Sequence, residues 1–304
     1  MIPLCSPNQA SLPTALALGS FDGLHAGHRE VIKAITKDGP GIPTVVSFWP
    51  HPREVLFGES RLRLDLPSEK ISLLEPLGIQ QLVLVPFNND LAALKAETFI
   101  KEILHKTLQA KRIGVGENFR FGRNREGDSS TLKSIGESLG IEVNVVSIIK
   151  DNQGRMSSSR IRSALTSGDL QTAKNLLGRS YTFQGVVIKG KGLGKQIGWP
   201  TANLEVNGRK FLPGLGVYAA WATDINEEDK FPAVMNLGPQ PTIDPTSPSA
   251  VEVHLLDQEL ELLGKELIIE PVKKLRNQKK FVGLHQLSKQ IQIDAEIGRT
   301  ILRE

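Results

Sequence analysis

The chain reads as two domains, an α/β domain on a doubly wound parallel sheet followed by a β domain that ends in a helix. Three observations carry this. From Thr14 to about Ile149, strand-sized apolar runs alternate with stretches of helical spacing, as in consecutive βαβ units. Past Leu177 glycine and proline become dense and apolar positions alternate, the period of half-buried strands. From Leu284 to about Leu302 the helical period returns.

In chain order the first domain begins with the strand TALALG, in which Ala15 to Leu18 form a buried run. A helix from Arg29, the strand TVVSF, a helix near Glu69 to Leu77, the strand QLVLV, a helix near Ala96 to Leu108 and the strands RIGVG and VNVVSI follow. In the third helix Phe99, Ile100, Ile103, Leu104 and Leu108 share one side of a 3.6-residue wheel, as a core-facing stripe does. In the second domain Tyr181, Phe183, Gly185 and Val187 alternate, as do Val251, Val253 and Leu255. Leu284, Leu287, Ile291, Asp294 and Ile297 then fit a helix lying against those strands. The change of period sets the boundary near Gly178 to Ser180, giving domains 1–178 and 180–304.

A length of 304 residues suits two domains. Hydrophobic residues at 39% and charged residues at 23% exclude disorder for most of the chain. Cys5 is the one cysteine, so neither a disulfide framework nor a cysteine zinc cluster can form, which fits a reducing cytoplasm. A formal charge of +4 does not demand nucleic acid but suits phosphate-bearing ligands. No apolar run approaches the ~20 residues of a membrane span, and the first twenty residues lack a basic n-region. A cytoplasmic protein away from the membrane is expected.

The sharpest local pattern is Gly19-Ser20-Phe21-Asp22-Gly23-Leu24-His25-Ala26-Gly27-His28, a strand end, a glycine turn and a helix start. Histidines three apart share a helix face, and a helix start offers free N–H groups and a positive dipole end to a phosphate. By itself His-x-x-His could equally bind metal or only pack. A second cluster, Ser157-Ser158-Ser159-Arg160-Ile161-Arg162, opens another helical stretch. Serine caps and an arginine fork suit an anion, although an ordinary N-cap would look the same.

Taken together, FDGLHAGH and SSSRIR resemble the paired signatures of the HxGH nucleotidyltransferases. Phe48-Trp49-Pro50-His51-Pro52, Pro86-Phe87-Asn88-Asn89-Asp90 and Val115-Gly116-Glu117-Asn118-Phe119-Arg120-Phe121-Gly122 narrow this to the prokaryotic riboflavin kinase/FAD synthetase family. The resemblance implies a Rossmann-like adenylyltransferase domain with His25 and His28 donating to the ATP α-phosphate. Ser159 and Arg160 would hold the β- and γ-phosphates and Mg²⁺ would bridge oxygens. Gly19, Phe21, Asp22, Gly23, Gly27, His51, Asn118 and Ser158 would complete the ATP and flavin contacts.

The C-terminal domain carries Gly190-Lys191-Gly192-Leu193-Gly194-Lys195-Gln196-Ile197-Gly198 before Trp199-Pro200-Thr201-Ala202-Asn203. It is not a Walker A loop, because Gln196 follows Gly194-Lys195 where a Ser or Thr should hold magnesium. Successive glycine N–H groups can still form a phosphate nest, and a flexible hairpin is the alternative. Pro-Thr-Ala-Asn resembles the flavokinase signature. That implies a β-barrel, Mg·ATP coordinated by Thr201 and Asn203, and ATP or flavin contacts from Gly190, Gly192, Gly194, Lys195, Gly198, Pro200 and Arg276.

Further matches are Asn236-Leu237-Gly238 with Pro241-Thr242, and Val251-Glu252-Val253-His254. Strand alternation puts Glu252 on the face opposite Val251 and Val253; the resemblance makes it the catalytic base for a ribityl hydroxyl. The chain departs from the family at Lys195 for arginine, Leu91 for phenylalanine and Leu263-Gly264-Lys265 for Tyr-Gly-Lys. Lysine keeps the charge but loses the fork.

The expected activity is therefore bifunctional: riboflavin to FMN, then FMN to FAD, with ATP as co-substrate and Mg²⁺ at both steps. Two rivals are an adenylyltransferase with an inactive barrel and a nucleic-acid binder using Lys273 to Lys280. Intact Thr201, Asn203 and Glu252 oppose the first. Three Trp, two Tyr and eleven Phe supply few stacking platforms for the second. Expected partners are small molecules only, with neither nucleic acid nor membrane; a transient homo-oligomer is compatible with the sequence.

Overall fold

The computed structural model describes residues 1–190, 192–227, 229–238, 251–258 and 260–303. Lys191 and the Pro241-Thr242 pair singled out above lie outside the described residues. The chain divides into two compact units, Met1–Ser158 and Ser159–Glu304.

The first unit is built on β1 (Leu4–Cys5), β2 (Thr14–Leu18), β3 (Ile42–Trp49), β4 (Gln81–Pro86), β5 (Ala110–Gly116) and, after the small hairpin β6 (Arg120–Phe121) and β7 (Gly127–Asp128), β8 (Glu142–Val146). The six-stranded sheet has the order β1-β4-β3-β2-β5-β8, and every pairing is parallel. Successive residues of β2 feed opposite layers, as the strand period requires. Leu16 and Leu18 join one apolar cluster and Ala15 and Ala17 the other. The second cluster is closed by α1 (Ala26–Thr36) and α3 (Pro67–Leu74), and the first by the helical stretch from Ala96 and by α6 (Ser129–Ser138). Helices on both faces make the sheet doubly wound. Two short helices, α2 (Pro52–Phe57) and α4 (Asn89–Ala93), follow β3 and β4.

The helix expected over Ala96 to Leu108 begins as α5 (Ala96–Thr98) but continues to Thr107 in the wider π winding. Phe99, Leu104 and Leu108 are five and four residues apart, which keeps them in line at that winding, and all three are buried. Edge strand β1 and the hairpin of β9 (Lys150–Asp151) and β10 (Gly154–Arg155) had no periodicity to announce them, being two residues long.

The second unit begins with α7 (Ser158–Ser167) and α8 (Leu170–Leu177). Then come β11 (Phe183–Ile188), α9 (Leu193–Gln196), β12 (Ala202–Val206), β13 (Gly216–Asp224), β14 (Lys230–Leu237), β15 (Val251–Leu255), β16 (Glu266–Arg276) and α10 (Leu284–Arg303). The strands form a closed antiparallel barrel in the order β11-β12-β15-β14-β13-β16. Phe183, Val187, Val251, Val253 and Leu255 are buried as the alternation required. On the other face Val217, Ala219 and Val234 pack with Ala295 and Leu302 of α10. The division by contacts falls ahead of the Gly178–Ser180 boundary because α8 packs on β16 and the Gly214 N–H donates to Leu165 O of α7 at 2.9 Å. Among the described residues no helix is long and apolar enough to cross a membrane.

A buried ion pair fastens α10 to the barrel. Arg276 donates from Nε and Nη2 to Asp294, the closest contact being 2.7 Å, and Asp294 is 2% exposed. Gln290 donates to the same carboxylate at 3.0 Å. Removing one partner of a buried pair leaves the other charge desolvated and costs about 3–5 kcal/mol. Asp294→Ala is expected to lower the urea midpoint of the barrel unit accordingly, and a midpoint within error of wild type would show that the pair anchors nothing.

Candidate active sites

The first site forms where β2 ends. The backbone turns through Phe21 (φ 45°), Gly23 (φ 93°) and Leu24 (φ 45°) before His25 caps α1. Left-handed conformations at bulky residues cost of the order of 1–3 kcal/mol each and persist only where the surroundings impose them. Here the turn presents two imidazoles: the His25 and His28 rings stack with centroids 3.8 Å apart and planes 17° apart. Gly27 makes room for them, since a Cβ there would lie 3.2 Å from His25 Cε1.

Burial, then the Arg155 and Arg29 charges, push the His25 pKa down to about 4. His28 is held well below the usual range by burial and by His25. Both rings are neutral at pH 7. Their Nδ1 atoms are buried with no hydrogen-bond partner among the described residues, so the pair has polar capacity that the protein does not use.

These rings, with Gly19, Phe21 and Gly27, line a cleft of about 230 Å³ together with Asn118, Phe119 and Arg155. With its amide oriented toward its donors, Asn118 accepts from Arg155 at 2.7 and 3.1 Å. A second cleft of about 860 Å³ shares Gly19, Ser20, Phe119 and Arg120 with the first. Its walls are largely aromatic, including Phe48, Phe87, Phe121 and the Phe119 ring stacked on Phe121 at 5.4 Å. His51 lies on this wall and caps α2, its Nδ1 accepting the Arg53 N–H at 3.1 Å. Leu91 lines it also.

Other expected residues stand behind the clefts. The Asp22 carboxylate accepts the Leu64 N–H at 2.8 Å, the Gly23 N–H donates to Asp65 at 2.9 Å, and the Ser158 hydroxyl donates to the Asp22 carbonyl at 2.7 Å. Ser159 is exposed and Arg160 half-buried in the first turn of α7, with the second unit. Arg155 escaped the sequence reading. It stands two residues before the Ser157–Ser159 run, the only hint of it.

Residues expected at the second site lie on β12, β14 and β15 of the barrel and in the loop between β11 and β12. Gly190 and Gly194 are required by contact: a Cβ on Gly190 would lie 2.0 Å from the Asn203 amide nitrogen. One on Gly194 would lie 2.3 Å from the Trp199 carbonyl and 3.2 Å from Thr201 Oγ1. Gly192 and Gly198 are required by conformation, with φ of +70° and +80°. Lys195 is exposed on α9 and Pro200 follows the turn. The Pro200 carbonyl lies 2.7 Å from His254 Nδ1, and the Trp199 indole packs edge-on against the His254 ring and donates to Ser288 at 3.2 Å.

Register supplies the rest. Asn203 is opposite Glu252, and Glu252 opposite Asn236, so three polar side chains stand in a row on the outer face, as directly paired residues must. Asn236 donates to Glu252 at 3.4 Å, and Gln278 donates to Asn236 at 3.1 Å. The Thr201 hydroxyl, Asn203 amide oxygen and Glu252 carboxylate are hard oxygen donors of the kind Mg²⁺ takes together with substrate phosphates. Among the described residues no group of three His, Cys, Asp or Glu could form an all-protein cage. Arg276, expected at the ligand, has Nε and Nη2 on Asp294 and Nη1 on the Asn277 carbonyl at 3.1 Å.

The depressed histidines give the first unit a pH signature. Below pH 6.5 the unfolded chain takes up protons at both positions, while folded His25 refuses one until about pH 4 and folded His28 is likewise held well below its usual range. The unfolded state thus gains protons first, and stability is lost as pH falls from 6.5 toward 4. Urea midpoints measured across that window should fall, and replacing both histidines by asparagine should flatten the decline.

Comparison with known proteins agrees with both halves. Residues 8–160 match the FAD synthetase family model and residues 177–302 the riboflavin kinase model. The bifunctional riboflavin kinase/FMN adenylyltransferase of Escherichia coli K12 is 36% identical over 289 residues, covering 93% of this chain and 91% of the relative. That of Bacillus subtilis is 35% identical over 294 residues, covering 93% and 90%. A solved structure described as a macrolide-efflux protein from Streptococcus pneumoniae superposes with TM-score 0.84 at 28% identity, covering 97% of each chain. With both family models matched in order and relatives aligned nearly end to end, the chain belongs to the bifunctional riboflavin kinase/FMN adenylyltransferase family.

Proposed function

We propose that the two reactions of this enzyme are divided between the two sites, FMN adenylylation at the histidine cleft of residues 1–178 and riboflavin phosphorylation at the barrel site of residues 180–304. The meeting of two unlike clefts at Gly19, Ser20, Phe119 and Arg120 carries the first half of this reading. One cleft is small, polar and basic, as ATP phosphates need. The other is wide and aromatic, as a flavin ring needs. A flavin in the wide cleft would bring its phosphate to the shared border.

The FMN phosphate is already an anion, so adenylyl transfer needs alignment and charge neutralisation, not a strong base. Neutral His25 and His28 each offer an N–H to the α-phosphate as it becomes five-coordinate. Arg155 brings positive charge to the cleft, and the family resemblance gives Ser159 and Arg160 of α7 to the outer phosphates. Among the described residues no carboxylate lines the small cleft, so Mg²⁺ there would be held by the phosphates themselves.

At the barrel site the nucleophile is a neutral ribityl hydroxyl, whose proton must leave. Glu252, steadied by Asn236, takes it. Gly190, Gly192 and Gly194 let the backbone approach the phosphates of ATP, and exposed Lys195 adds charge without a fork. Thr201 and Asn203 would hold Mg²⁺, which when bound offsets the charge of the transferring phosphoryl group. Arg276 acts on this site by fixing α10, whose Ser288 holds Trp199. The partners are riboflavin, FMN, FAD and ATP, the setting is cytoplasmic, and any self-association is transient.

Paired variants test the division. His28→Ala should reduce FAD formation from FMN by ~10²–10³ and leave riboflavin phosphorylation intact. Glu252→Gln should reduce kinase turnover by roughly 10²–10⁴, with riboflavin binding retained and supplied FMN still converted. Equal loss of both activities in either folded variant would refute two separate sites.

Cutting the chain tests the domain assignment. Residues 180–304 should make FMN from riboflavin, and a piece starting at Ser159, which keeps α8 on β16, should do so with a higher thermal midpoint. A folded piece that binds riboflavin but does not phosphorylate it would count against independence.

A further inference from the structure

The segment Arg63-Leu64-Asp65-Leu66-Pro67-Ser68-Glu69-Lys70 contains four charged residues, and all four are buried, with exposures of 5%, 3%, 8% and 7% in order. Charges are kept from water at high cost unless they are paired and hydrogen-bonded. A surface helix start has no need of this arrangement. What the segment touches is the turn that carries the histidines. Lys70 Nζ donates to the Ser20 carbonyl at 3.0 Å, Asp65 Oδ2 accepts the Gly23 N–H at 2.9 Å, and the Leu64 N–H donates to Asp22 Oδ1 at 2.8 Å. The Ser47 hydroxyl reaches the same Ser20 carbonyl at 3.2 Å.

The contacts fall on residues 20, 22 and 23, interleaved with the left-handed Phe21, Gly23 and Leu24. Neither Lys70 nor Asp65 lines either cleft. Both act on backbone, one on the Ser20 carbonyl and one on the Gly23 amide, on the two sides of left-handed Phe21. The segment is itself braced: Glu69 accepts the Leu66 N–H at 2.8 Å, and Arg63 pairs with Glu54 at 2.9 Å beneath the Trp49 ring.

We infer that Arg63–Lys70 is a clamp that sets the geometry of FMN adenylylation, with Lys70 and Asp65 as positioning residues that hold residues 20–24 so that His25 and His28 stack at the head of α1. The inference rests on the reading of those histidines as phosphate donors. Burial lowers the Lys70 pKa while Asp22 and Asp65 oppose that shift, so the carboxylates that face the ammonium are the ones that grip the turn and its flank. The clamp and its charge balance are one structure.

The test uses the full-length enzyme and the variants Lys70→Met, Lys70→Arg and Asp65→Asn, with His28→Ala alongside. Riboflavin phosphorylation in the same preparation serves as the internal control. Lys70→Met and Asp65→Asn should lower kcat for FAD formation by about 10²-fold, the loss that a misplacement of about 1 Å produces. The KM for FMN and the kinase turnover should stay at wild-type values, and Lys70→Arg should recover part of kcat. If Lys70→Met does not fold, Asp65→Asn, which keeps size and one oxygen, decides by the same criterion. Wild-type kcat in the deciding variant overturns the inference, as does a change confined to the thermal midpoint or to KM. If His28→Ala itself forms FAD normally, the reading of the histidines fails. If His28→Ala is inactive while the clamp variants are fully active, only the clamp fails.

Discussion

The histidine site depends on keeping four residues of backbone, Phe21 to Leu24, in a conformation that two of them resist. Phe21 and Leu24 carry side chains yet sit at φ of 45°, and both are nearly fully buried. The strain is offset because the apolar side chains join the core beside α1 and α3 while the polar backbone between them is hydrogen-bonded to a charged segment behind it. The consequence is the close stack of His25 on His28 over a glycine that leaves space for it. Burying two imidazoles together near arginines lowers the pKa of both, which suits the proposed role of neutral donors to a phosphate.

The barrel site uses a different principle. No strained turn aims Glu252; antiparallel register does, by setting it between Asn203 and Asn236 on one face of three neighbouring strands. The interior of those strands is filled by Val251, Val253 and Leu204, so a slip of one residue would bury the carboxylate and expose the core. The barrel thus protects the chemistry by the same packing that stabilises it. The glycines complete the site from the loop side, with Gly190 and Gly194 bare against Asn203 and Thr201.

On the proposed division the two sites answer two chemical demands. An anionic phosphate nucleophile would need orientation and charge balance, and the first cleft has two imidazoles and the Arg120 and Arg155 guanidinium groups, with no carboxylate lining it among the described residues. A hydroxyl nucleophile would need a base, and the barrel offers a half-buried carboxylate on its outer face, held by an amide.

How much of this the sequence held follows from the range of the forces involved. Hydrophobic period is local, so the doubly wound sheet, the alternating strands and the last helix were legible from Thr14, Phe99, Phe183, Val251 and Leu284 onward. Glycine and histidine spacing is local too, which made FDGLHAGH and the Pro-Thr-Ala-Asn loop visible as sites. Two-residue strands such as β1, β9 and β10 have no period to read, so Arg155 on β10 went unseen. Lys70 and Asp65 carry no local signal, because nothing within a few residues of them shows that they are buried. Their partners lie 50 and 42 positions away. The sequence by itself determined the period of each element and the residue types at each site. Only tertiary structure decided which charges lost their water, because desolvation depends on contacts between segments that the chain order does not display.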